Sequence, residues 1–458
     1  MNTLALAFLI LNGVALLALP RRWAALPLLV GACYMTGAQS LDLGPFHFTV
    51  VRLLLLVCFI RSLARNERLP GGINGLDLTL LIWGAWLLCS SLFHQPFSEA
   101  LVFRLGAVYN TLGFYFLIRI FCRNADDMIQ LIKLTSFLLV PVALEMINEK
   151  LTGRNLFAFF GGVPDDVMVR DGKFRAQGPF GHPILAGTVG ALCVPLMIGL
   201  WRQHALAAKM GLLACLCMVI ASNSSGPLMT VGVSVFALLM WRWQHLTRQL
   251  RITAVVGDCL LTLASSRPAY YALLNRIDLT GSSTGWHRAE LIRQATDHLD
   301  EWWIAGTDYT RHWMPYGVSW SEDHSDITNH YLFYGVWGGL PLMGIFICAL
   351  WIGFRYVGQS LRLQAEAPIR QRFLIWSLGA GLFAHAVTCI SVAYFDQSVI
   401  FLYLFLAAIG SLHATLLMET DQEVAAVRDL SIPMGLAVSD LNRSFAVGSA
   451  AHSPSRRP

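Results

Sequence analysis

The run TNHYLFYGVWGGLPLMGIFICALWIGF, residues 328–354, contains no Asp, Glu, Lys or Arg. At about 1.5 Å per residue it is longer than a helix needs to cross a hydrocarbon core of about 30 Å. Lipid offers the backbone no hydrogen-bond partner, so a run of this length is predicted to be a helix that satisfies its own amides. Comparable runs recur near 3–19, 23–39, 47–62, 76–94, 99–121, 128–148, 182–201, 206–222, 225–243, 252–265, 372–393 and 396–418. With 55% hydrophobic and only 13% charged residues, the chain does not read as a string of soluble domains. The expected fold class is an all-α polytopic membrane protein of about 12–13 transmembrane helices. The first run, from Leu4, has no basic segment before it and no small-residue cleavage site, so it reads as a retained helix.

The connectors sort by charge. Arg21 and Arg22, Arg61 to Arg68, Arg119 and Arg123, Arg202 and Lys209, Arg242 to Arg251, and Arg355 to Arg372 fall in alternate connectors, while 40–46, 94–97 and 223–226 carry no Lys or Arg. An excess of Lys and Arg marks the cytoplasmic side. The segments 149–181 and 266–327 therefore fall outside the cytoplasm, with the N-terminus on their side and the C-terminus opposite. The chain divides into an N-terminal transmembrane bundle (1–265), a long extracytoplasmic loop (266–327), C-terminal transmembrane helices (328–418) and a disordered cytoplasmic tail (419–458). The net charge of +5 is modest, and no nucleic-acid partner is expected. Most of the ten cysteines fall inside apolar runs and read as packing residues.

Between Ser282 and Leu340 the chain gathers His, Arg, acids and Trp between apolar runs. Ser283 or Thr284 can cap a helix, and Trp286, Ala289, Ile292, Ala295, Leu299 and Trp302 follow at spacings of three and four. That amphipathic helix is expected to lie on the membrane surface, with Trp302 and Trp303 at the headgroups.

Three polar stretches on this side carry the candidate chemistry: KFRAQGPFGHPILAG (173–187), GWHRAEL (285–291) and TNHYLFYGVWGG (328–339). Arg175 and Arg288 can each give paired hydrogen bonds to phosphate oxygens and stay charged. His330 titrates near neutrality and suits a proton acceptor. The plain alternatives are headgroup-facing arginines and histidines that open helices, His182 before Pro183 above all. His182, Trp286 and Asp326 join the candidate substrate-binding set. Arg104 interrupts an apolar run, so it should face the bundle interior, paired or in contact with a lipid-linked phosphate; Arg52 and Glu145 pose the same question. The acids and histidines of 312–330 include Asp326 and His330 four apart, but no tight ligand spacing, and no metal is expected.

These residues resemble the O-antigen ligase and O-antigen polymerase superfamily of bacterial inner-membrane glycosyltransferases. The resemblance is carried by Arg175 followed by Gly178-Pro179-Phe180 and His182-Pro183, by a long loop that opens with Arg288, by Gly306, and by His330 before Gly335, Gly338 and Gly339. It spans roughly residues 45–415. It implies a GT-C-like enzyme in the inner membrane, its active site facing the periplasm and needing no cofactor. The donor is a glycan on undecaprenyl pyrophosphate, the acceptor a glycan or the lipid A core, and membrane lipids surround both. By resemblance His330 activates the acceptor hydroxyl while Arg288 and Arg175 hold the pyrophosphate. Many relatives place an Arg at the end of a Ser-rich segment where this chain has SNSSGPL (222–228), so no role carries over there. A polymerase using a second lipid-linked glycan as acceptor is the nearest rival, and a non-enzymatic lipid-linked-glycan transporter the rival from another class.

Overall fold

The computed structural model describes residues 1–247, 285–319 and 321–431, together with 249–250, 252–253 and 256–257. Most of the expected span 252–265, the loop segment 266–284 with its caps Ser283 and Thr284, and the tail 432–458 lie outside the described residues.

Of the described residues 73% are helical, the architecture of an all-α polytopic membrane protein. In order the helices are α1 (Thr3–Ala18), α2 (Ala25–Tyr34), α3 (Val50–Ala64), α4 (Gly75–Ser90), α5 (Phe97–Phe121), α6 (Ala125–Thr152) and α7 (Pro183–Leu200). There follow α8 (Ala205–Ser222), α9 (Ser225–Leu239), α10 (Gly285–Asp297), α11 (Leu299–Trp302), α12 (His330–Leu363), α13 (Ile369–Thr388) and α14 (Val399–Ser431). Among the described residues three antiparallel hairpins interrupt them: β1–β2 (Ser40–Leu43, Phe46–Thr49), β3–β4 (Met168–Arg170, Lys173–Arg175) and β5–β6 (Gly317–Val318, Ser321–Ser325).

Among the described residues, eight helical stretches are long and apolar enough to cross a membrane. The difference from the expected 12–13 lies mainly in α1, α2, α3 and α13. At 10 residues, α2 rises only about 15 Å, half a hydrocarbon core. The region after Met418 is not loop from its start, because α14 continues to Ser431.

Local sequence sets the helix starts. Asn2, Thr49, Asn74, Asn124, His182 and Asn329 each accept a backbone N–H of the first turn. Asn74 and Asp77 close a reciprocal capping box. At the centre, α7 buries almost its whole surface against α6, α8, α9 and α13. Small residues permit that approach: a Cβ on Gly190 would sit 2.8 Å from the Cys215 carbonyl oxygen of α8.

Two arginines are buried at one end of the bundle, and both are neutralised. Arg119 pairs with Asp77 and donates to the Pro70 carbonyl at 2.9 Å. Arg61 pairs with Glu67 at 2.9 Å and also reaches the carbonyls of Leu16 and Leu19.

Candidate functional site

At the other end of the bundle α3, α5, α7, α9, α12 and α14 begin and α2, α4, α6, α8 and α13 finish. A cavity of about 1430 Å³ opens there. The caps Thr49, His182 and Ser224 line it, so several helices turn their free amides and positive dipole ends toward it. Arg104 lies about two turns into α5 from this end and Arg119 lies in its last turn at the other. Their fifteen-residue separation places the two backbone positions about 22 Å apart along the axis.

The cavity is lined by Arg52, Arg104, Arg170, Lys173, Arg175 and Arg288, with His182, His287, Asp326 and Asp396 among them. Five of the seven candidate residues, Arg104, Arg175, Arg288, His182 and Asp326, therefore share one wall system. The β3–β4 hairpin delivers two cations side by side. Asp171 and Gly172 turn it, both with positive φ (52° and 70°), the geometry that Asp-Gly favours between paired strands. Met168 then faces Arg175, and Arg170 faces Lys173.

Unlike Arg61 and Arg119, three of these cavity guanidinia lack a counterion. Among the described residues no carboxylate lies within 4.0 Å of Arg104, Arg175 or Arg288, though their exposures are only 4%, 6% and 8%. Arg175 donates Nη2 to Ser224 Oγ at 2.6 Å and leaves Nε without a partner. Arg288 also leaves Nε open, and Arg104 leaves Nε and Nη1. A buried donor left unsatisfied costs about 1–3 kcal/mol, and more when it belongs to a charged group. Arg52 is in a different condition, since it donates to the His47 carbonyl at 2.6 Å and to Asn110 Oδ1 at 3.1 Å.

The charges at the hairpin sense one another. Burial lowers the Arg288 pKa, and Arg170 lowers it further while Asp326 opposes both. Burial likewise lowers Arg175, again with Arg170 adding to it. His182 is pushed down to about 4 by burial, then by Arg175 and Arg170. Its Nδ1 accepts the Ile184 N–H at 3.2 Å, as a neutral imidazole must. Burial also lowers His287, with Asp326 opposing and Arg288 adding. Arg170, Arg175, Arg288, His182, His287 and Asp326 thus form one electrostatic group.

Arg104 lines the same cavity, where Asp308 is the charge that acts on it. Its position depends on a break in α12 at Gly338 and Gly339. The break frees carbonyls that a continuous helix would use. Arg104 Nη2 donates to Trp337 O at 2.7 Å, Trp86 Nε1 to Gly338 O at 2.7 Å and the Thr307 N–H to Val336 O at 3.0 Å. Asp308 is held by His94 and by the Gln95 N–H at 3.0 Å.

Two candidates do not reach the cavity. His330 has no exposed surface. Its Nδ1 accepts the Tyr394 N–H at 3.2 Å, its Nε2 has no partner, and the rings of Phe333, Tyr334, Phe346 and Tyr394 enclose it. Tyr334 and Tyr394, not His330, form the cavity wall. Trp286 is 46% exposed on the outer face of α10.

Helix α10 does form where the amphipathic pattern placed it, but its apolar face packs on protein. Leu291, Ala295 and Trp302 cluster with Trp313, Met314 and Val336. Trp302 is buried against Gly335, whereas Trp303 stays half exposed. The residues that sequence reading missed are Arg170, Ser224 and Asp396. The Asp-Gly turn in VRDGKF announces the hairpin that carries Arg170. Ser224 belongs to the SNSSGPL segment, in which only a missing Arg had stood out. No family model and no curated protein matches this chain.

Proposed function

We propose that this protein transfers an oligosaccharide or polysaccharide from undecaprenyl pyrophosphate to an acceptor hydroxyl at the periplasmic face of a bacterial inner membrane. The observation that carries this reading is the set of buried guanidinium donors left open on Arg104, Arg175 and Arg288 around one large cavity. A polyvalent anion is the complement that such a set lacks, and a pyrophosphate brings charge and oxygen acceptors together. In this reading Arg175 and Arg288 hold the pyrophosphate, with Arg170 beside them, and Arg104 contacts the glycan or a second phosphate.

The chemistry then needs little more. The acceptor oxygen attacks the anomeric carbon from the face opposite the pyrophosphate, the carbon–oxygen bond to phosphate breaks, and configuration inverts. The departing undecaprenyl pyrophosphate keeps the electron pair, stabilised by the guanidinia. The acceptor proton passes to a carboxylate in the cavity. We assign that role to Asp326, which lines the cavity and interacts with Arg288, in place of the enclosed His330. The finer expectations, a GT-C-like arrangement with about 12–13 spans, belong to this same reading.

The test is reconstitution of the purified protein with an undecaprenyl-pyrophosphate-linked glycan and either a lipid A core or a second lipid-linked glycan. Glycan on the core makes the protein a ligase; lengthened lipid-linked glycan makes it a polymerase. Passage of glycan across the vesicle without a new covalent product overturns the transferase reading.

A further inference from the structure

Outside the cavity, three side chains with metal-ligating atoms meet where α10 gives way to α11. His298 follows α10, Glu301 lies on α11 and His312 lies in the turn Arg311–Trp313. One ligand atom from each lies within 4.8 Å of the other two. None of the three lines the cavity.

The geometry orients each group. His298 Nδ1 lies 2.9 Å from the Gln294 carbonyl oxygen. A carbonyl only accepts, so Nδ1 carries the proton and Nε2 keeps its lone pair, the tautomer fixed as metal-ligating histidines usually are. Glu301 Oε2 accepts the indole N–H of Trp313 at 3.1 Å, and its Oε1 lies 2.9 Å from His312 Nε2. Trp313, 2% exposed, anchors the carboxylate from below. The His298 ring stands edge-on to His312, centroids 4.8 Å apart.

We propose that His298, Glu301 and His312 bind one divalent transition-metal ion, with zinc the best match. Two neutral imidazoles and a carboxylate suit zinc, which tolerates three protein ligands with water in the fourth place. Ligands at about 2.0–2.1 Å in a tetrahedron lie about 3.3–3.4 Å apart. The present separations of up to 4.8 Å exceed that by about 1.4 Å, and Glu301 and His312 are the partly exposed side chains that would close the gap. The ion pair given up is the partly exposed His312–Glu301 contact, of a kind worth roughly 0–1 kcal/mol. The ion would fasten the end of α10, the helix that carries Arg288, to the 299–313 segment packed over the glycine break of α12. The site stands independently of the transfer reading.

The experiment uses the full chain, free of any polyhistidine tag, stripped with chelator in detergent and titrated with zinc chloride by calorimetry. One zinc per chain is expected, together with a rise in the thermal unfolding midpoint. X-ray absorption of the loaded wild type should show two imidazoles with nitrogens at about 2.0–2.1 Å. His298→Asn with His312→Asn should abolish the stoichiometric binding, and Glu301→Gln should weaken it at least tenfold. Wild-type binding no greater than that of the double variant overturns the proposal. So does a loaded wild type whose zinc has no imidazole ligand, a result that needs no variant to fold.

Discussion

Arg175 Nη2 donates to Ser224 Oγ at 2.6 Å, and that same hydroxyl donates to the Ser222 carbonyl at 3.0 Å. The serine therefore has both its roles fixed, and it holds the guanidinium through Nη2 while Nε stays buried without a partner. A hydrogen bond to a charged group is worth about 1.5–3 kcal/mol, or roughly 10–100-fold in rate. Ser224→Ala is expected to lower kcat/KM for glycan transfer by about that factor without unfolding the protein. Ser224→Thr, which keeps the hydroxyl, should recover most of it; equal loss in both variants would mean that the bond is incidental.

Arg104 and Arg119 lie on one helix, yet opposite outcomes are expected when each becomes Met. Arg119→Met strands the buried Asp77, which keeps only the Tyr115 hydroxyl at 2.7 Å among its side-chain partners. Breaking a buried pair in this way costs about 3–5 kcal/mol. Arg104→Met instead removes a charge whose Nε and Nη1 are unsatisfied, so thermal stability should hold or rise by about 1 kcal/mol. Glycan transfer should nevertheless be lost. Unfolding midpoints and transfer rates on the same preparations separate the two cases.

That contrast marks what could be read from the chain beforehand. Apolar length and cap residues are local, so the helices at 75–90, 97–121 and 183–200 were legible, as was the helix after Gly285. Charge alternation correctly grouped Arg175 and Arg288 with the segments that now meet in the cavity. The status of a buried arginine, by contrast, depends on which carboxylate another helix brings to it. Local position put Arg119 in a basic connector and Arg104 inside an apolar run, but it does not tell that Asp77 pairs the first and that the second has no such partner. The enclosure of His330 was illegible for a similar reason. Its place at a helix start suggested the water boundary, but Tyr394 and Tyr334, distant or indistinct in sequence, close over it.

Gly339 is held with φ of 73° and ψ of −173° where α12 breaks, a combination other residues scarcely adopt. A Cβ there would also strike the backbone of Ile304, and one on Gly306 would strike the Val336 carbonyl. Gly339→Ala should therefore destabilise the protein by at least about 1–3 kcal/mol. It should also displace the Trp337 carbonyl that receives Arg104. Loss of transfer beyond that of the folded fraction, measured by thermal unfolding and activity together, is the expected signature. A Gly339→Ala protein as stable and active as wild type would remove the break from the site.

His182 gives a pH dependence of stability with a definite sign. Its pKa falls from about 6.5 when unfolded to about 4 in the fold. Between those values the unfolded chain binds the proton and the folded chain does not, so stability rises with pH across that window. Protonation also removes the Nδ1 acceptor that caps α7. The unfolding midpoint should decline as pH drops from 6.5 toward 4, and His182→Asn, which keeps a capping acceptor but does not titrate, should show a shallower decline. Equal slopes would place the acid sensitivity elsewhere.

The sharpest division lies between Asp326 and His330. Asp326 lines the cavity and acts electrostatically on Arg288, while His330 has no exposed surface and spends Nδ1 on the Tyr394 amide. If the carboxylate takes the acceptor proton, Asp326→Asn preserves shape and removes the base, and transfer should fall about 100- to 10,000-fold with donor binding little changed. His330→Gln keeps an acceptor for Tyr394 but disturbs an aromatic cage, so it should lower the unfolding midpoint and reduce the rate only in proportion to the folded fraction. Single-turnover transfer on donor-loaded protein reads the chemical step directly. A His330→Gln variant that is fully folded, binds donor normally and transfers no glycan would return the base to the histidine. It would also require that the wall formed by Tyr334 and Tyr394 opens when the acceptor arrives.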